Sequence, residues 1–185
     1  MNGQTMHDIC TQVRILNEKF LGVVRLDELI TVRKQRENTL FVDKNKKGRF
    51  FIVNIANSHW IALLWSDADR VLVFDSLGIT NKETLTGNIV FVFGIQKIKF
   101  LYAKTNYIQN IDSLTCGEHC IYFVLYETTF YKDNKHFDEE YIKRLKRFCR
   151  KNYTSTDYFV WSEIYDRMKL ARVPNLHELI HWKIK

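Results

Sequence analysis

The sequence predicts an α+β fold: a small central mixed or antiparallel sheet with the helix that begins at Cys116 packed on it. Three features carry this expectation. The chain opens with helical periodicity, its middle holds runs rich in β-branched and aromatic residues, and everything after Cys116 reads as helix. With one proline, seven glycines and no repeat or Pro/Ser-rich linker in 185 residues, a single domain over 1–185 is expected.

The elements follow in order. In "TMHDICTQVRILNEKF", Ile9, Val13, Leu16 and Phe20 recur at spacings of three and four, so an amphipathic helix is predicted there. "RFFIVNIA", "HWIALLWS" and "RVLVFDS" then read as three consecutive antiparallel strands, the last two joined by a turn at Asp67 and Ala68. Residues 80–95 carry two signals, "NKETL" for a helix start and "NIVFVFG" for a strand, and "KIKFLYA" is a further strand. Helices are predicted in "CGEHCIYFVLYETTFYK", "DEEYIKRLKRFCRK" and "TDYFVWSEIYDRMKLA", followed by a short tail after Pro174.

Composition narrows the function classes. The longest apolar runs fall far short of the roughly 20 residues of a membrane-spanning helix, so no membrane role is expected. The first residues carry no basic-then-apolar leader, and the four cysteines are expected to be reduced thiols in an intracellular compartment. A formal charge of +7 favours an anionic partner, with nucleic acid the first candidate. The cations concentrate on one predicted helix as Lys143, Arg144, Lys146, Arg147, Arg150 and Lys151, around a packed stripe of Ile142, Leu145, Phe148 and Cys149. A solvated helix face would carry the same pattern without any ligand, and no aromatic stacking motif is interleaved with the charge.

Chemistry is expected where strand ends meet the start of the helix at Cys116. If the hairpin turns at residues 67 and 68, His59 stands opposite position 75 or 76, which brings a carboxylate within reach of an imidazole N–H. Cys116 at a helix start meets free N–H groups and the positive end of the dipole, both of which favour a thiolate, and Gly117 permits close approach of a substrate. Gln109, seven residues earlier, is a neutral donor suited to an oxyanion, with Asn106 and Asn110 as competitors. Cys116, His119 and Cys120 lack the companion pair that structural zinc needs, since Cys10, His136 and Cys149 are scattered, so no metal is expected. Cys120 is expected to pack one turn below Cys116, with Glu118 and His119 facing away from the site.

In this order, "HW" at His59, "VLVFDSLG" with Asp75, Gln109 and "TCGEHC" with Cys116, the chain resembles the adenovirus-type maturation cysteine proteases, which share a fold with SUMO-deconjugating proteases. "KFLGVV" near Phe20 is similar to a short segment before the first strand of that family, and the resemblance covers about residues 15 to 130. It implies a thiol endopeptidase in which Cys116 attacks, His59 forms the ion pair and protonates the leaving amine, and Asp75 orients His59. Gln109 and the Cys116 N–H would hold the oxyanion, with Trp60 and Gly117 at the substrate. It further implies viral capsid or core precursors as substrates, cut after small residues, and action as a monomer in the virion and the infected cell, including its nucleus. No cofactor is needed for the chemistry, but the resemblance implies activation by viral DNA and by a viral peptide. The family's peptide is disulfide-linked to a cysteine between the acid and the nucleophile; this chain has none there, so only non-covalent binding or Cys10 would serve. Two other functions fit the same residues: a SUMO or ubiquitin-like isopeptidase, and a catalytically retired DNA-binding virion protein.

Overall fold

The structure, a computed structural model, describes residues 1–28, 48–55, 58–67, 70–78, 80–93, 97–101, 108–130, 140–152 and 154–170. Ala68, Asn106, His136 and the tail after Pro174, all part of the sequence reading, lie outside the described residues. Helix α1, Gly3–Gln12, starts at Asn2, whose side chain accepts the Thr5 N–H at 2.8 Å. Its inward face is Met6, Ile9 and Cys10. The expected single helix through Phe20 does not form. The backbone turns extended at Val13, a short α2 spans Arg14–Asn17, and Phe20–Arg25 is strand β1. β-branched Val23 and Val24 and aromatic Phe20 favour the strand, and the Lys19 carbonyl is claimed by the N–H of Phe50 at 3.0 Å.

Strands β2 (Phe50–Ile55), β3 (His59–Asp67), β4 (Arg70–Phe74) and β5 (Lys97–Leu101) join β1 in one sheet of order β1-β2-β3-β4-β5. The three expected strands pair antiparallel as β2, β3 and β4, while β1 and β5 add parallel edges. Gly22, at φ +151°, sits where the β1 register shifts against β2. A parallel β4–β5 pair needs a crossover, and this settles the ambiguous stretch as helix α3, Lys82–Phe93. Asn81 caps it by accepting the Thr84 N–H at 3.0 Å.

Both sheet faces are covered, which is why the strands read as continuous apolar runs. Phe51, Val53, Ile61, Leu63 and Trp65 meet Leu85 and Ile89 of α3. Phe50, Ile52, Ala62, Leu64 and Phe74 meet α1 and the central helix α4, Cys116–Phe130. Phe74 stacks on Phe123 of α4 with ring centroids 4.5 Å apart. Helices α5, Glu140–Lys151, and α6, Thr156–Leu170, pack beyond α4. On α5 the buried stripe is Tyr141, Ile142, Leu145 and Cys149. Phe148, expected in that stripe, is 46% exposed and rests against Phe159 of α6 at 4.5 Å. No described helix is long and apolar enough to cross a membrane.

Candidate active site

His59 and Asp75 meet, though not as directly opposed residues. The β3–β4 ladder pairs Ala62 with Phe74 and shifts register between Trp65 and Asp67, so Asp75 follows the end of β4 and reaches His59 diagonally. His59 itself pairs with Ile55 of β2. The contact is short, His59 Nε2 to Asp75 Oδ1 at 2.7 Å, with both side chains buried. Four further donors hold the carboxylate. Oδ1 accepts the Leu77 and Gly78 N–H groups, each at 2.9 Å, and Oδ2 accepts the Thr80 N–H at 2.9 Å and its hydroxyl at 2.5 Å. Gly78, at φ +66°, closes the turn that delivers these groups. Burial pushes the Asp75 carboxyl up, but the hydrogen bonds from His59 and Thr80 outweigh it and hold the pKa down at about 2. Thr80 was not singled out from the sequence, where a threonine five residues past an aspartate carries no signal of its own.

Because Asp75 is an acceptor, the His59 proton sits on Nε2 and Nδ1 is left for the thiol. Nδ1 is buried and forms no completed hydrogen bond. Burial works to lower the imidazole pKa. The Asp75 hydrogen bond and the hydrogen-bonding influence of the nearby Cys116 thiol overcome it and raise the value to about 9. Cys116 is the first residue of α4 and is 7% exposed. A carboxylate-held imidazole beside a thiol at a helix start is an arrangement suited to thiol chemistry.

Gln109 is buried and its amide orientation is fixed. Nε2 donates to the Ser113 carbonyl at 2.6 Å, which only an N–H can satisfy, so Oε1 is the atom facing the Ser76 hydroxyl at 2.7 Å. Ser76 therefore donates, and the second N–H of Nε2 remains for another acceptor. The Ser76 carbonyl in turn takes the N–H groups of Ile108 and Gln109 at 3.1 and 3.3 Å. The residue after Asp75 thus fastens the segment that leads to Cys116, a role missed in the sequence because it joins loops 33 residues apart.

The remaining candidates lie as follows. Trp60 is half-buried and forms a wall of a cavity of about 260 Å³ with Gly3, His7, Val23, Arg25 and Glu28. Gly117 faces α1: a Cβ there would stand 3.0 Å from Met6 Sδ and 3.3 Å from Met1 Cβ. Lys143, Arg144, Lys146, Arg147, Arg150 and Lys151 all fall on α5, and Arg144 also donates to the Tyr126 hydroxyl at 3.4 Å. Asn110 uses its N–H on Asp157 at 3.0 Å and its side chain on the Asp112 N–H at 3.2 Å. Cys120 is fully buried in the core, and burial pushes its thiol pKa up. Cys10 is likewise fully buried with its pKa raised by burial, so it does not present a thiol for a peptide. His119 points away from the His59–Asp75 pair, as expected, but is not idle: it is buried and bonded to Asp157 at 2.8 Å.

No family model matches the chain, and no curated protein matches it. Among solved structures, ChlaDub1 from Chlamydia trachomatis superposes with a TM-score of 0.55 at 11% identity, covering 95% of each chain. SUMO protease Ulp1, with its catalytic cysteine oxidised to a sulfinic acid, gives 0.50 at 13% identity over 89% of this chain and 78% of its own. The fold is Ulp1-like. The central domain of the uncharacterised Lpg1148 protein from Legionella pneumophila gives 0.51 at 13% identity, over 91% of this chain and 98% of its own. At such identities the likeness is one of fold, and the Ulp1-like layout of a mixed five-stranded sheet with α4 against it agrees with the sequence expectation.

Proposed function

We propose that this protein is a thiol peptidase of Ulp1-like fold. The observation that carries the reading is the buried His59–Asp75 pair at 2.7 Å beside a cysteine at the first position of α4. Cys116 attacks the scissile carbonyl, and His59 donates its proton to the leaving amine and then takes one from the water that hydrolyses the thioester. Asp75 keeps the imidazole oriented and charged, and the free N–H of Gln109 with the Cys116 backbone N–H receives the oxyanion. Trp60 lines the approach of the acyl part of the substrate.

For the substrate, the resemblance to adenovirus-type enzymes favours viral precursor proteins cut after small residues, with α5 as a DNA contact and a non-covalent peptide as activator. The fold shared with Ulp1 favours a second reading, release of a ubiquitin-like modifier from a lysine. The test is labelling. An electrophilic thiol probe at neutral pH should modify Cys116 far faster than Cys10, Cys120 or Cys149; equal rates would overturn the peptidase reading. SUMO and ubiquitin bearing a C-terminal electrophile then separate the substrates, since capture by Cys116 marks a modifier protease. Cleavage of Gly-containing precursors without capture marks an endopeptidase. If Cys116→Ala leaves every activity intact while DNA binding falls steeply with salt, the protein is a DNA-binding one on this fold.

A further inference from the structure

A second buried imidazole–carboxylate pair lies on the far side of the nucleophile's helix start. His119 Nε2 meets Asp157 Oδ1 at 2.8 Å, and the imidazole is fully buried. The same oxygen accepts the Thr115 hydroxyl at 2.6 Å, and Oδ2 accepts the Asn110 N–H at 3.0 Å. Next to it, the Thr156 hydroxyl donates to the Ile108 carbonyl. An acid in the first turn of α6 suits the helix dipole, but that role needs no distant partner. These partners are 38 to 47 residues away in sequence, and all belong to the segment that carries Gln109 and Cys116 or to the first turn of α4.

The donor directions make a chain. Thr115 gives its one hydroxyl proton to the Asp157 carboxylate, so in the 2.7 Å contact between the Ser113 and Thr115 hydroxyls it is Ser113 that donates. The Ser113 carbonyl receives the Gln109 amide at 2.6 Å. Asp157 is therefore linked through Thr115 and Ser113 to the side chain that would meet the oxyanion, and through His119 to the helix that presents the thiol. Its carboxyl pKa is lowered: burial opposes ionisation, and the His119 and Thr115 hydrogen bonds overcome it.

We propose that Asp157 is a positioning residue that sets the oxyanion donor Gln109 relative to Cys116, acting through Thr115 and Ser113 on one side and His119 on the other. The proposal rests on the peptidase reading. Its physical basis is that an oxyanion donor works only when held at the right place before reaction, and that a misplacement of about 1 Å costs up to ~10²-fold in rate.

The test compares Thr115→Val, which removes the hydroxyl at constant shape, with Thr115→Ser, which keeps it, and with Asp157→Asn and Ser113→Ala. Two rates are measured on each: turnover of a coumarin amide of a peptide ending in Gly-Gly, and alkylation of Cys116 by iodoacetamide, which builds no oxyanion. Thr115→Val and Asp157→Asn should lower kcat by ~10- to 100-fold with KM and the alkylation rate within about twofold of wild type. Thr115→Ser should restore turnover, and Ser113→Ala should lose less than Asp157→Asn. Unchanged kcat in Thr115→Val, or kcat and alkylation falling together, would overturn the positioning role. If the wild-type protein turns nothing over, the labelling contrast between Cys116 and the other cysteines decides the peptidase reading. The brace is then judged by hydrogen exchange at the Gln109 side-chain amide, which should quicken in Thr115→Val and is refuted if it does not.

Discussion

His59 titrates under three influences, and their balance sets the expected pH behaviour of the site. Burial disfavours the imidazolium, while the Asp75 carboxylate and the neighbouring Cys116 favour it, leaving the pKa at about 9. The folded value lies above the ordinary 6.5, so its contribution to stability is complete below about 6.5 and is lost as pH rises through about 9. Asp75 runs the other way: its contribution is present above 3.8 and is lost as pH falls through about 2. In the proposed mechanism the acid that protonates the leaving amine is this same imidazolium, so hydrolysis should decline on the alkaline side near pH 9. Asp75→Asn removes the charge that sustains it, and the alkaline limb should move down by about one unit or more with a lower kcat. A pH–rate profile checks this; an unmoved limb would mean that Asp75 does not govern His59. At this scale the sequence singled out the four candidate groups because each is a distinctive residue type near an element end. Thr80, Ser76 and Asp157 stayed hidden because a serine, threonine or aspartate in a loop has many ordinary reasons to be there, and only tertiary geometry joins them to the site.

At the scale of elements, the legible parts were those whose signal is local. The β2, β3 and β4 runs and the three C-terminal helices follow from unbroken apolar patterns. The break at Val13 and the start of β1 were not legible, because helical spacing continues to Phe20 while the competing interaction is a sheet contact with Phe50, 30 positions on. The α3 stretch was undecided for a similar reason: its helix is imposed by the parallel β4–β5 crossover. Gly117 shows how one element constrains another. It was expected to make room for a substrate, and in the structure it makes room for α1, with Met6 Sδ at 3.0 Å from a Cβ position. Alanine there gains helix propensity of up to ~1 kcal/mol and asks a flexible thioether to move, so Gly117→Ala should be close to neutral. Gly117→Val adds two methyl groups against the same wall and should cost about 1–3 kcal/mol, partly recovered by Met6→Ala in the same chain. Thermal denaturation of the single and double variants reads this. Equal stability of the alanine and valine forms would show that α1 does not press on the helix start.

Among the described residues, two buried acids, Glu118 and Glu127, hold their protons well above the ordinary carboxylate range and so tie protonation to folding across the whole molecule. Glu118 is held at about 7 because burial outweighs the attraction of the N-terminal ammonium 4.0 Å away, and Glu127 is held at about 8 by burial alone. Neither carboxyl has a hydrogen-bond partner among the described residues. In the unfolded chain both titrate near 4.5, so between 4.5 and the folded value the folded state keeps a proton that the unfolded state releases. Stability therefore falls across that range at up to ~1.4 kcal/mol per pH unit per acid, and the loss stops once the folded group ionises. His59 begins to lose its contribution above about 6.5, in the same direction. The fold should thus be most stable on the acid side of neutrality, above the range in which Asp75 is protonated. Glu127 is the cleaner probe, since it lies on α4 away from Cys116 and its shift has a single cause. Glu127→Gln keeps the shape and removes the titration. Chemical denaturation at a series of pH values should give variant and wild type a near-constant difference below about 4.5, then a gap widening in the variant's favour up to about pH 8. Parallel stability curves across that range would show that Glu127 is already ionised in the folded protein, and that its burial does not couple protons to the fold.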